Sequence, residues 1–134
     1  MTKTQFLKME KVCKEMIWKP LAKSGDCNKP VFANIFELKC PACEIAYQLS
    51  SPDYMDCNYC PVTKWRESQE RYACENDYDL RYHERWLSAG LCNNQKRLKE
   101  AATAISKMKW SWLPEYKAHK LSPEILALLK KVKL

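Results

Sequence analysis

From Thr4 to Trp18, Phe6, Met9, Cys13, Met16 and Ile17 recur at spacings of three and four. That is the period of an amphipathic helix. Pro20 is expected to end it, because proline has no amide hydrogen and its ring crowds the preceding turn. The polar run Ser24-Gly25-Asp26-Cys27-Asn28 reads as a loop. Val31, Phe32, Ile35, Phe36 and Leu38 then predict a short strand or extended lead within about residues 31–39. Glu44 to Leu49 is a short apolar piece, followed by a turn at Ser51-Pro52-Asp53.

Thr63 to Ala73 is rich in helix formers and predicts a helix start. A second helix is expected over Asn76 to Leu87, where Tyr78, Tyr82 and Trp86 are spaced by four, with Gly90 breaking the pattern. The clearest helix follows. Asn93 or Asn94 offers an N-cap, and Leu98, Ala101, Ala102, Ile105, Met108 and Trp112 form one apolar face, with Pro114 as the stop. Lys96, Lys99, Lys107 and Trp110 fall on the opposite face. A last helix is announced by Ser122-Pro123-Glu124, a capping serine before a proline in the first position. The fold class is therefore mainly α, with a small zinc-knuckle or zinc-ribbon-like core. Residues 1–92 read as a metal-stabilised core and residues 93–134 as a basic helical arm packed on it, within one domain.

The zinc reading comes from two cysteine pairs, Cys40-Pro41-Ala42-Cys43 and Cys57-Asn58-Tyr59-Cys60. Each C-x2-C pair turns two thiolates toward one point, and two pairs close a tetrahedral S4 shell with no open position. Such a structural zinc stabilises a fold and does no chemistry. Cys74 competes with Cys57 or Cys60 for the fourth place. Cys27, Cys92 and His83 are scattered single candidates for a second site. Cys13 lies on the first apolar stripe and reads as a buried thiol. A redox pair would need a helix N-terminus, a lowered thiol pKa and a βαβ unit; the sequence has no βαβ pattern. The clustered spacings of iron–sulfur ferredoxins are also missing.

The string Cys-Pro-Ala-Cys, a dozen residues, Cys-x-x-Cys-Pro-Val, a single cysteine and then Tyr-x-x-x-Trp resembles a group of small cysteine-rich phage-encoded proteins. Here the positions are Cys40, Cys43, Cys57, Cys60, Pro61, Val62, Cys74, Tyr82 and Trp86, within residues 38–87. The resemblance implies a phage origin and a zinc-binding core followed by a helical tail, and no activity. This chain departs from that pattern in its longer basic C-terminus and its extra cysteines.

Charge sharpens the choice of partner. The net charge is +7. Residues 1–92 carry 13 basic and 13 acidic side chains, so the excess lies in residues 93–134, with 10 basic against three acidic. Residues 53–84 hold eight acids and four bases. An acidic middle beside a basic end favours an anionic partner at one end only. Lys96, Lys99, Lys107 and Lys109 are the candidate phosphate contacts, with Trp110 available for stacking. The acidic stretch around the knuckles would repel nucleic acid, so a host protein is the preferred partner. Trp65, Tyr82 and Trp110 are then the candidate anchors. Nucleic acid binding through the basic helices is the alternative.

Catalysis finds little support. Zinc deaminases need His-x-Glu before Pro-Cys-x-x-Cys, and metalloproteases need His-Glu-x-x-His. Only His83 and His119 exist, and neither sits in a nuclease-like context. A cysteine nucleophile beside His83 is the residual enzymatic option. No apolar run reaches the roughly 18 residues of a membrane span, and the N-terminus lacks the apolar core of a secretory signal. Read as it stands, the chain is expected in the cytoplasm, that of the host cell if phage-encoded. Its eight cysteines are then metal ligands and buried thiols rather than disulfides.

Overall fold

The first stripe is helical, but it does not stop at Pro20. In the computed structural model, which describes residues 1–49, 57–68 and 72–134 without the side chains of Gln48 and Cys57, one helical run covers the N-terminus. It comprises α1 (Lys3–Lys11), a π-helical stretch (Val12–Trp18) and α2 (Lys19–Ser24). Thr2 starts it with a reciprocal capping box to Gln5. The Lys19 amide bonds the Lys14 carbonyl, five residues back. This wider winding lies directly before Pro20, whose missing amide and bulky ring a regular α-helix accommodates poorly. Gly25 ends the run at φ +67°, a left-handed conformation that glycine adopts without strain.

The strand expected within residues 31–39 is corrected. Val31–Ile35 and Glu37–Lys39 are 3₁₀ turns, and Leu38 and Lys39 have positive φ. A lone extended segment leaves its amides and carbonyls unpaired, and no partner strand occurs among the described residues. The turns bond locally instead, and bury Ala33 and Phe36 three residues apart. The protein is mainly α. The only β-type pairing among the described residues is an isolated antiparallel bridge between Val62 and Trp110.

The remaining helices are α3 (Pro41–Leu49), α4 (Thr63–Glu67), α5 (Ala73–Asn76), α6 (Tyr82–Leu91), α7 (Gln95–Ser106) and α8 (Pro123–Lys131). A 3₁₀ turn also spans Pro114–Ala118. The turn expected at Ser51-Pro52-Asp53 lies outside the described residues. Gly90 does not break α6. It allows close approach of the loop at Cys27, whose Cβ would lie 3.1 Å from any Cβ added at residue 90. Asn94 caps α7 as the sequence suggested, accepting from the Arg97 amide. That helix ends at Ser106 rather than Pro114, so Met108, Trp110 and Trp112 follow it on non-helical backbone. Ser122 caps α8, with Pro123 in its first turn.

The core draws on the whole chain. α7 packs against α2 and α6, and α1 against α3 and α8. Phe6 stacks on Tyr116 with ring centroids 5.4 Å apart, and meets Trp110 and Trp112 at 5.8 and 5.4 Å. Leu98, Ala102, Tyr116, Ile125 and Leu129, from the basic C-terminal third, lie in the same buried cluster as Met9, Ile17 and Ile45.

Candidate functional site

The first cysteine pair straddles the start of α3. Cys40 has extended backbone angles, and its carbonyl accepts the Glu44 amide at 2.9 Å, so it occupies the position just before the helix. There its sulfur faces the unpaired amides of the first turn. The thiols of Cys13 and Cys43 donate to the Cys40 sulfur, joined by the Cys43 amide, and together they hold its pKa well below the usual thiol range. Burial opposes that shift, while the Lys29 ammonium adds to it. Cys13 and Cys43 are pushed well above the thiol range, first by these bonds to Cys40 and then by burial.

Five cysteines, Cys13, Cys40, Cys43, Cys60 and Cys74, line one cavity of about 380 Å³. Its other walls include Ala42, Ala46, Ile105, Trp18, Trp65 and Trp110. Cys60 acts electrostatically on both Cys13 and Cys43, and Cys74 acts on Cys43. The Cys57 side chain lies outside the described residues. Cys27 and Cys92 are exposed and stand off this cavity. Sequence reasoning thus named four of the five lining thiols and set Cys13 apart as a core residue. Its apolar stripe gave no sign that it would meet Cys40.

His83, a single candidate from the sequence, lies on the cavity wall, and Lys29, which the sequence did not single out, stands beside it. Lys29 donates to the Lys39 carbonyl at 3.2 Å, and its ammonium lies 5.1 Å from the Trp18 ring centroid. Its Nζ is 3.4 Å from His83 Nε2. Burial first, and then Lys29, lower the His83 pKa. A fixed cation beside a thiol cluster offsets the charge that thiolates accumulate.

The C-terminal segment buttresses both cysteine pairs. Behind the second pair, the Thr63 amide bonds the Lys109 carbonyl and the Ser111 amide bonds the Pro61 carbonyl, each at 2.9 Å. Arg66 Nη1 donates to the carbonyls of Cys60 and Ser111 and to the Tyr116 hydroxyl, each at 3.2 Å; its Nη2 bonds Ser111 Oγ. The Tyr116 hydroxyl in turn donates to the Tyr59 carbonyl at 2.9 Å. Burial raises the Tyr116 pKa to about 12, so it stays a donor. Behind the first pair, His119 Nε2 lies 2.9 Å from the Glu44 carbonyl, one residue beyond Cys43.

His119 is buried, and its Nδ1 has no partner. Burial lowers its pKa, and the terminal amine of Met1 adds to that, against smaller opposing effects of Glu44. A histidine held neutral in the fold takes up a proton more readily when unfolded. Stability should therefore fall as pH drops below about 6.5, the unfolded value, by at most about 1.4 kcal/mol per pH unit. Above that value the contribution is fully present and flat. Urea titrations at pH 7, 6 and 5 should show this slope, reduced in His119→Gln; an unchanged slope would assign the effect elsewhere.

The chain matches no family model, no curated protein and no solved structure. Its chemistry has to be read from its own residues.

The donor set suits a thiophilic metal. Five thiols converge on one cavity, and the lowered pKa of Cys40 favours the thiolate form that zinc binds. Among the described residues, no group of three or more His, Cys, Asp or Glu stands in position around a single ion. The ribbon strands of a zinc-ribbon core do not occur among them either. Cys40 does combine a helix-start position with a lowered pKa, two features of a redox pair, but no βαβ unit occurs among the described residues.

The proposed partner residues divide by depth. Trp65 and Trp110 are 6% exposed. Trp65 Nε1 donates to the Leu80 carbonyl at 2.8 Å, so both rings are taken up by the interior. Tyr82 is half-buried at the start of α6, with the Arg85 guanidinium over its ring. Lys96, Lys99, Lys107 and Lys109 are exposed. No described helix is long and apolar enough to cross a membrane.

Proposed function

We propose that this protein is a small metal-braced binding protein, in which a structural zinc held by thiolates fixes a helical scaffold that engages a partner protein. The observation that carries the reading is the convergence of Cys13, Cys40, Cys43, Cys60 and Cys74 on one cavity, with the Lys29 charge acting on it. Thiolate sulfur is the ligand zinc prefers in structural sites, at about 2.3 Å. Cys40 and Cys43 supply the first pair, and Cys60, with Cys57 or Cys74, the rest. Four thiolates leave no open position for substrate, so the product of such a site is shape rather than turnover. Metal binding would draw the sulfurs in.

A protein partner is favoured by apolar side chains left on the surface. Leu87 and Leu91 project one turn apart from α6, with Leu91 92% exposed, and Tyr78 is 75% exposed just before that helix. Exposed leucine and tyrosine along and just before one helix suit a protein interface better than a phosphate backbone. The host-protein partner preferred on the acidic charge of residues 53–84 agrees with this. The second reading, nucleic acid, draws on the exposed lysines at positions 96, 99, 107 and 109.

Zinc per chain, measured on purified protein and on Cys40→Ser, tests the brace. About one equivalent in the parent, lost in the variant together with cooperative unfolding, is expected. A parent free of metal under non-chelating purification sinks the reading. Affinity capture then separates the partners. A stoichiometric protein that survives nuclease and is lost in Leu87→Ser/Leu91→Ser supports the first; salt-steep binding lost on neutralising the four lysines supports the second.

A further inference from the structure

Cys13 lies 27 positions before Cys40 in sequence, yet its side chain hydrogen-bonds the Cys40 sulfur. A free cysteine on a helical core stripe normally packs against hydrocarbon. This one touches a sulfur that also bonds Cys43, and it opens onto the cavity that Cys60 and Cys74 share. Four chain segments thus bring sulfur to one place: the N-terminal helix, the start of α3, the second cysteine pair and α5.

The backbone that carries Cys13 is unusual as well. The π-helical stretch Val12–Trp18 runs for seven residues. Such winding is rare, and where it occurs it re-aims side chains and marks functional sites. Pro20 explains why wide turns are tolerated at this point. The stretch holds two residues of the cavity wall, Cys13 and Trp18. Trp18 in turn supports Lys29, whose charge acts on both Cys13 and Cys40.

Building on the metal-braced reading above, we propose that Cys13 is itself a metal ligand. With Cys40, Cys43 and one thiolate of the second cysteine pair it completes the four-sulfur shell. The metal then ties the N-terminal helix to both pairs, and does more than close the loop between them. This position lies outside the residues that carry the sequence resemblance, so it is a property of this chain. Each thiol gives up its proton on binding, and the two negative charges left on a Zn(Cys)₄ centre face the Lys29 ammonium.

The test uses the intact chain loaded with ¹¹³Cd²⁺, whose scalar couplings to cysteine Hβ protons identify ligands without any substitution. A cadmium correlation to Cys13 Hβ, alongside those to Cys40, Cys43 and one cysteine of the second pair, is the expected result. Correlations to the other cysteines without Cys13 overturn the proposal and leave the metal-braced reading standing. No correlation to any cysteine overturns both. As a second readout, Co²⁺-loaded Cys13→Ser should lose about a quarter of its sulfur-to-cobalt charge-transfer intensity, one thiolate in four. Its metal affinity should fall by at least about tenfold. Cys27→Ser, whose thiol is exposed and off the cavity, should change neither.

Discussion

Arg66→Ala is expected to destabilise the protein by about 2–4 kcal/mol, among the largest effects of any single change outside the thiols. One half-buried guanidinium serves the Cys60 and Ser111 carbonyls, the Tyr116 hydroxyl and Ser111 Oγ. Truncation leaves these acceptors without their donor, and each such loss costs about 1–3 kcal/mol when the group stays buried. The sum is discounted because Arg66 is only partly buried and water can replace some of the bonds. Arg66→Lys should recover less than half, since an ammonium cannot present the planar fork that meets several acceptors at once. Urea unfolding of the two variants checks the magnitude. Because Arg66 holds the Cys60 carbonyl, the metal-braced reading proposed above expects metal affinity to fall in Arg66→Ala with the metal stoichiometry unchanged. Stability within 0.5 kcal/mol of the parent, about the scale of an ordinary surface substitution, would show that the clamp is dispensable.

Trp65→Ala should cost about 3–5 kcal/mol, the usual range for emptying a buried aromatic site. Its ring is one wall of the thiol cavity, and its indole N–H satisfies the Leu80 carbonyl. Trp65→Phe keeps most of the volume and removes one bond from a carbonyl that still accepts the Tyr82 amide at 2.8 Å, for a loss of about 0.5–1.5 kcal/mol. The pair also decides a functional point. A partner anchor would lose binding in both variants with the fold intact, whereas a core residue loses binding only as far as it loses folding. The burial of Trp65 favours the second outcome. Near-UV circular dichroism and unfolding midpoints, set beside captured partner, separate the two.

Local signals were legible wherever a residue acts on its own backbone. Asn94 and Ser122 are the caps the sequence offered, because a short side-chain oxygen bonds the free amides of its own helix whatever lies around it. The strand within residues 31–39 failed for the opposite reason. A strand needs a partner, and a short run rich in β-branched and aromatic residues does not supply one, so two 3₁₀ turns that bond locally form instead. Pro20 misled similarly. The rule that proline ends a helix omits the wider winding that a packed neighbour stabilises, and here Met9, Val12, Ile17 and Leu21 are all buried on the same run.

The candidate site divides along the same line. Spacing alone marked Cys40, Cys43, Cys57 and Cys60, since two thiols three residues apart reach one point through a single turn. That relation is local and survives without the rest of the chain. Nothing local distinguishes Trp65 or Trp110 as interior rather than as an anchor, because an aromatic side chain suits a core and an interface equally. Nor could the sequence draw Arg66 to Tyr116, or His119 to the residue after Cys43. These are contacts between segments 50 and 75 residues apart. What the sequence determined by itself was the helical class, the capped ends and the paired thiols. The tertiary structure decided that Cys13 and Lys29 join those thiols and that the basic C-terminal segment braces them. Packing sets which distant side chains share a volume, and no periodicity encodes it.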